Sequence, residues 1–243
     1  MSAKAVVVDS VSKSFGDVAA VREVSFDVMQ GEIFGIVGQN GAGKTTVLRM
    51  IMDIFRPDAG RILVFGQPPG NSVNQRIGYL PEERGIYVGL KVRKVLEYFA
   101  RLKGLPRAQA RVNVEKWMHR FGIEEAAGRR VEILSKGNQQ KVQLIAALVA
   151  DPELIILDEP LAGLDPVNAH LLGALIRDLA EQGKTILFSS HQMPVVEKLC
   201  TRVLMINRGE VVLYGRLAEI RQSQNGFEES LEDIYIRIAQ EPV

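Results

Sequence analysis

Cysteine is nearly absent. Cys200 stands alone among 243 residues, which excludes an internal disulfide and a thiolate metal cluster and suits a reducing compartment. Cys200 is therefore read as a packing residue. Long apolar runs are missing too: the longest uncharged one near the middle, Val142 to Ala150, falls well short of the ~20 residues a membrane-spanning helix needs. No opening stretch joins a basic region to an apolar core and a small-residue cleavage site. The first residues run directly into the strand-like Ala5-Val6-Val7-Val8, so the expectation is a chain that is not exported. Charge of one sign is not in excess either, since 30 basic against 29 acidic residues leave a net +1. That argues against a nucleic-acid partner. There is no internal repeat and no low-complexity linker. What remains is an ordinary globular composition, 47% hydrophobic, in a length that holds one large domain or two small ones with a substantial core.

Hydrophobic periodicity divides the chain. Val24, Phe26 and Val28 alternate with Glu23, Ser25 and Asp27, the period of a half-exposed strand, so an antiparallel β edge is expected near the start. Glu32 to Val37, Arg61 to Phe65 and Ile77 to Leu80 are further strand candidates. From Lys91 to Ala150 the apolar residues take helical spacing, as in Val92, Val95, Leu96, Phe99 and Leu102, which predicts a helical insertion. Strands return at Leu154–Leu157, Thr185–Phe188, Val203–Ile206 and Val211–Tyr214, with a helix around Leu171 to Leu179 between the first two. Near-continuous apolar strands separated by helices predict a mostly parallel sheet covered on both faces. At the tail, Ile234, Ile236 and Ile238 fit a strand, whereas Leu231, Ile234, Tyr235 and Ile238 fit a helix. Ser230 as a cap and Glu232-Asp233 in the first turn favour the helix.

Gly38-Gln39-Asn40-Gly41-Ala42-Gly43-Lys44-Thr45 matches the phosphate-loop pattern GxxxxGK[ST] at each fixed position, between the Glu32–Val37 strand and a helix expected from Thr45 to Phe55. Glycines let successive N–H groups turn toward a phosphate, the helix N-terminus adds positive dipole, Lys44 reaches the terminal phosphates and Thr45 can hold Mg²⁺. The loop alone leaves kinases, GTPases and ATPases open. Leu154-Ile155-Ile156-Leu157-Asp158-Glu159-Pro160 supplies carboxylates at the tip of an apolar strand. Asp158 is the candidate to hold the metal through water, and Glu159 to act on the attacking water as base or water-positioner.

Upstream of Asp158, Leu134-Ser135-Lys136-Gly137-Asn138-Gln139-Gln140-Lys141 opens a helix. It resembles the signature of the ATP-binding cassette family, usually Leu-Ser-Gly-Gly-Gln. With the phosphate loop, Asp158-Glu159, an Ala162-Gly163-Leu164-Asp165 that resembles the family's D-loop, and His191 after Ser189-Ser190, five motifs stand in family order. The resemblance runs from Phe15 to about Tyr214. More narrowly, Tyr79-Leu80-Pro81-Glu82-Glu83-Arg84-Gly85-Ile86-Tyr87 and the signature stretch look like the sodium- or drug-exporter branch of bacterial cassette ATPases.

The resemblance implies a P-loop NTPase core of mostly parallel sheet with an antiparallel β edge and a helical insertion at about 89–150, the ATPase domain covering 1–220 and a short helical tail 221–243. It implies ATP stacked on Phe15 and held by residues 38 to 45 and Thr46, with Mg²⁺ at Thr45, Asp158 and Glu82. Lys44, Glu159 and His191 would be catalytic. Ser135, Lys136, Gly137 and Asn138 would face ATP held by a second copy of the chain, and Asp165 would cross that interface. It further implies an ATPase subunit that drives export, bound peripherally at the cytoplasmic face of the membrane to separate transmembrane permease subunits. The stretch Glu82 to Val88, with Ile86 and Tyr87 read as exposed, is the expected socket for them. The competing reading is a soluble cassette ATPase acting on nucleic acid or ribosomes. It is disfavoured because the chain carries one cassette and no sustained heptads. Three residues depart from the family pattern: Glu82 where Gln is usual, Lys136 for the first signature glycine, and Asn138 for Gln. His119 and His170 match no motif and read as surface residues.

Overall fold

The computed structural model describes residues 3–83, 85–223 and 229–240; Arg84, in the stretch quoted above, lies outside them. In chain order the elements are β1 (Lys4–Phe15), β2 (Val18–Met29), β3 (Ile33–Val37), α1 (Lys44–Ile51), β4 (Ala59–Val64), α2 (Asn71–Asn74) and β5 (Ile77–Leu80). The helices α3 (Val92–Leu102), α4 (Arg107–Arg120) and α5 (Lys136–Leu148) come next. The chain continues through β6 (Leu154–Asp158), α6 (Pro166–Glu181), β7 (Thr185–Ser190), α7 (Met193–Leu199), β8 (Arg202–Asn207), β9 (Glu210–Arg216), α8 (Leu217–Ser223) and α9 (Leu231–Gln240).

Two sheets result. The six-stranded one has the order β5-β6-β7-β3-β8-β9, parallel except for β9 at its edge. The central strands β3, β6 and β7 are buried along their whole length, which is why they read as unbroken apolar runs. The smaller sheet, β2-β1-β4, is antiparallel. On β2, Val24, Phe26 and Val28 are buried while Glu23 and Ser25 are exposed, as the alternation predicts. Asp27 departs, being half-buried: its carboxylate accepts from the Tyr214 hydroxyl (2.6 Å) and faces Arg202 (3.4 Å). Phe26 stacks on Phe34 across the two sheets, ring centroids 5.5 Å apart.

Helices α3, α4 and α5 stand between β5 and β6 in the chain. Their apolar stripes, Val95, Leu96, Val114, Trp117, Val142 and Ile145 among them, join one buried cluster with Ile155, Leu157 and Phe188 of the large sheet. Ile86 enters the same cluster at 9% exposure, which corrects the reading of Ile86 as a surface residue. Tyr87 beside it is 54% exposed. An isoleucine flanked by glycine and tyrosine carries no periodicity, so its direction was set by the helices packed over it.

Two boundaries differ from the sequence pattern. Helix α1 stops at Ile51 instead of running to Phe55, because Asp53 takes a left-handed conformation (φ 56°). The Ile54 N–H then bonds to the Arg49 carbonyl and the Asp53 N–H to the Met50 carbonyl, a Schellman-type end. At the tail the helix prevails: the Asp233 N–H donates to Ser230 Oγ (3.1 Å) and Asp233 Oδ2 accepts from the Ser230 N–H (3.3 Å), a reciprocal cap. Cys200 is buried, and burial pushes its thiol well above the usual range, so it is an inert packing residue.

Candidate functional site

The site lies outside the carboxyl ends of β3, β6 and β7, where parallel α/β sheets place their ligands. Register puts Asp158 beside Ser189 and Val37 beside Ser190. The loop after Val37 reaches α1 through Gly43, in a conformation that favours glycine (φ 110°). A Cβ on Gly43 would stand 2.6 Å from the Ala20 carbonyl, and one on Gly38 only 2.2 Å from the Ile206 carbonyl. Both glycines are therefore required by backbone packing on either side of the loop.

The loop closes on a buried charge. Lys44 is 5% exposed, and its Nζ donates to the carbonyls of Gly38 (2.8 Å) and Gln39 (3.1 Å). The same Nζ lies 3.1 Å from Glu159 Oε1. Glu159 holds a left-handed backbone conformation (φ 48°), a strain that side chains bear where the surroundings impose it. Its N–H donates to Ser189 Oγ (2.9 Å), and its Oε2 lies 2.9 Å from His191 Nδ1. His191 thus orients the carboxylate and does not cap α7, whose N-cap is Gln192. Ser189 Oγ in turn donates to Asp158 Oδ1 (2.6 Å), which also accepts from Thr45 Oγ1 (3.1 Å). Asp158 Oδ2 is buried with no hydrogen-bond partner. Burial raises the Asp158 pKa; the bonds from Ser189 and Thr45 oppose it, and the Glu159 charge adds to it.

A pocket of about 280 Å³ opens over these groups, lined by Ala20, Asn40, Gly41, Gly43, Lys44, Thr45, Thr46, Glu82 and Glu159. Glu82, exposed, stands on this lining. Thr45 Oγ1 and the orphaned Asp158 Oδ2 are oxygens of the kind a hard cation takes, and among the described residues no cluster of three or more His, Cys, Asp or Glu could hold a metal alone. That fits an ion bound by one or two protein groups together with substrate phosphates.

Other expected residues stand apart from this pocket. Phe15, 44% exposed at the tip of the β1–β2 hairpin, meets Phe55 edge-to-face at 5.2 Å with Lys13 Nζ 5.7 Å over its ring, outside the lining. Ser135 is exposed and caps α5, its Oγ accepting from the Asn138 N–H (3.3 Å). Lys136 is exposed and Gly137 and Asn138 are half-buried on the first turn of α5. Asp165 is exposed and caps α6, accepting from the N–H groups of Val167 and Asn168 at 3.0 Å; these bonds lower its pKa. His119 and His170 are exposed. Sequence reasoning missed Ser189, the hydroxyl that joins Asp158 to the backbone of Glu159. Its signal was the polar pair Ser189-Ser190 ending an apolar strand.

Residues 21–162 match the model of the ABC transporter family. The chain belongs to that family. It is 46% identical over 216 residues to an uncharacterized ABC transporter ATP-binding protein of Bacillus subtilis, YhaQ, covering 89% of this chain and 72% of that protein. It is 38% identical over 229 residues to a Nod factor export ATP-binding protein I of Paraburkholderia xenovorans, covering 93% and 75%. A solved structure described as an ATP-binding subunit of an ABC transporter superposes with a TM-score of 0.89 at 28% identity, over 97% of this chain and 99% of that one. As an ABC ATPase subunit the chain binds and hydrolyses ATP, and subunits of this family work with transmembrane permease partners. Among the described residues no helix is long and apolar enough to cross a membrane.

Proposed function

We propose that this ABC subunit works as a homodimer enclosing two ATP molecules, each gripped by the phosphate loop of one copy and the signature residues of the other. The observation that carries this reading is the division of polar groups. Lys44 and Glu159 are buried on the lining of one pocket, with Asp158 buried behind Thr45, whereas Ser135 and Lys136 stand exposed outside that lining. Within one chain, the signature residues do not reach the pocket over Lys44 and Glu159.

The chemistry follows from the buried pair. Lys44 donates to two carbonyls and pairs with Glu159. An arriving γ-phosphate competes for the ammonium, and Glu159 Oε1 is then free to take a proton from the attacking water. His191 Nδ1 holds the other oxygen of Glu159 and presents the far side of its ring to the γ-phosphate. Thr45 and Asp158, with Glu82 at the rim, would hold Mg²⁺, whose chemistry is to neutralise the β- and γ-phosphate oxygens. Phe15 would offer its exposed ring to the adenine. Ser135, Lys136, Gly137 and Asn138 at the positive end of α5 would complete the phosphate shell of the facing copy, with Asp165 reporting across the interface. Loss of the bridging γ-phosphate reopens the dimer.

On this reading the ATPase domain spans 1–220, with a helical insertion at about 89–150 and a tail from 221 to 243. The subunit sits peripherally at the cytoplasmic face of the membrane. Its socket for the permease lies around the exposed Tyr87 and Val88, and its transporter exports, as the name of the Nod factor export relative says of that protein. At low protein concentration, ATPase activity measured with Mg²⁺ should rise more steeply than linearly. A strictly linear rise would count against the shared site.

A further inference from the structure

The signature helix and the hydrolytic carboxylate are joined by one side chain. Gln139 and Gln140 are consecutive on the first two turns of α5 and serve opposite sides. Gln139 Nε2 donates back to the carbonyls of Val131 (3.1 Å) and Leu134 (3.2 Å), in the segment that leads into the helix. Gln140 Nε2 reaches outward and donates to the carbonyl of Pro160 (3.0 Å), the residue immediately after Glu159. That peptide continues a strained turn: Glu159 has φ 48°, its N–H is held by Ser189 Oγ, and its carbonyl accepts from the Ala162 N–H (3.1 Å). The bonds from Ser189 and Ala162 arise after β6, within the sheet and the turn. The bond from Gln140 comes from the helix that carries Ser135 and Gly137.

We propose that Gln140 is a positioning residue: by holding the Pro160 carbonyl it fixes the backbone of Glu159 relative to α5, so that the aim of the carboxylate depends on where the signature helix sits. A left-handed glutamate has nearby alternative conformations of lower backbone strain, so releasing the next carbonyl frees the side chain to swing from the water it activates. A displacement of α5, as when its N-terminus engages ATP on a facing copy, is carried through this bond to the peptide next to Glu159. The inference rests on the reading of Glu159 as the group that acts on water.

The test uses the 243-residue chain, steady-state ATPase kinetics with Mg²⁺, binding of a fluorescent ATP analogue and the thermal midpoint. Gln140→Met keeps the length and removes the donor. It should lower kcat roughly five- to tenfold, the range expected for one lost hydrogen bond, with KM, analogue affinity and Tm little changed. Gln140→Lys restores a donor of similar reach and should return kcat to within about twofold of the original. In a Glu159→Gln background, Gln140→Met should bring no further loss, because the group it positions is already gone. A wild-type kcat in Gln140→Met, an unrescued loss in Gln140→Lys, or an additive loss in the double variant would each overturn the coupling. If Glu159→Gln stops turnover while Gln140→Met does not slow it, the coupling alone fails. If Glu159→Gln retains the full rate, the assignment of Glu159 fails and the coupling with it.

Discussion

The phosphate-loop half of the site and the signature half are built on opposite plans. In the first, Lys44, Asp158, Glu159 and Ser189 are buried and bonded to one another. In the second, Ser135, Lys136 and Asp165 are exposed, and Ser135 and Asp165 spend their acceptors on capping their own helices. Buried charges need partners within the fold, and Lys44, Glu159 and Asp158 Oδ1 find theirs inside one chain, leaving only Asp158 Oδ2 among these groups unpartnered. Exposed caps cost nothing to leave waiting. On the proposed reading, a site divided in this way becomes competent only when two copies assemble.

The largest expected effect breaks the buried half. Glu159→Gln should retain ATP binding, trap a closed dimer detectable by size-exclusion chromatography, and lower kcat by about 10²-fold or more. An unchanged rate would remove Glu159 from the chemistry. The exposed half is sharpened by complementation. Ser135→Arg and Lys44→Ala should each be nearly inactive alone, while an equimolar mixture should recover about a quarter of the normal rate, since mixed dimers carry one intact site. No recovery would mean that the signature does not serve the facing copy.

Asp158 gives a smaller effect of opposite sign on stability. Because burial raises its folded pKa above the ordinary carboxylate value, the folded chain binds the proton more tightly than the unfolded one. The stabilising contribution of that proton is present below the ordinary value and is lost as pH rises through the raised one. At neutral pH the ionised Asp158 therefore costs stability. Asp158→Asn should raise Tm by roughly 2–4 °C, equivalent to about 1 kcal/mol, and abolish Mg²⁺-dependent turnover, the gain in Tm disappearing toward acid pH in calorimetry. A lower Tm at neutral pH would contradict the desolvation argument. The smallest effect belongs to Glu82, exposed at the rim: Glu82→Gln should change kcat by less than about threefold while shifting the Mg²⁺ dependence to higher concentration. An unmoved Mg²⁺ dependence would leave Glu82 as a solvent-facing residue.

Sequence determined the parts whose chemistry is local. The phosphate loop needs its glycines and lysine in fixed spacing around a helix start, β6 needs an apolar run ending in carboxylates, and α9 announces its cap through Ser230 and Asp233. Such features depend on neighbours in the chain, and they were legible. What sequence left unresolved depends on elements far apart along it. Only the register of β6 against β7 brings Ser189 to Asp158, 31 residues away. Only the helices over the sheet turn Ile86 inward, and only the packing of α5 beside the end of β6 gives Gln140 the Pro160 carbonyl. Spacing fixes which groups are present, whereas strand register and helix packing fix which of them touch.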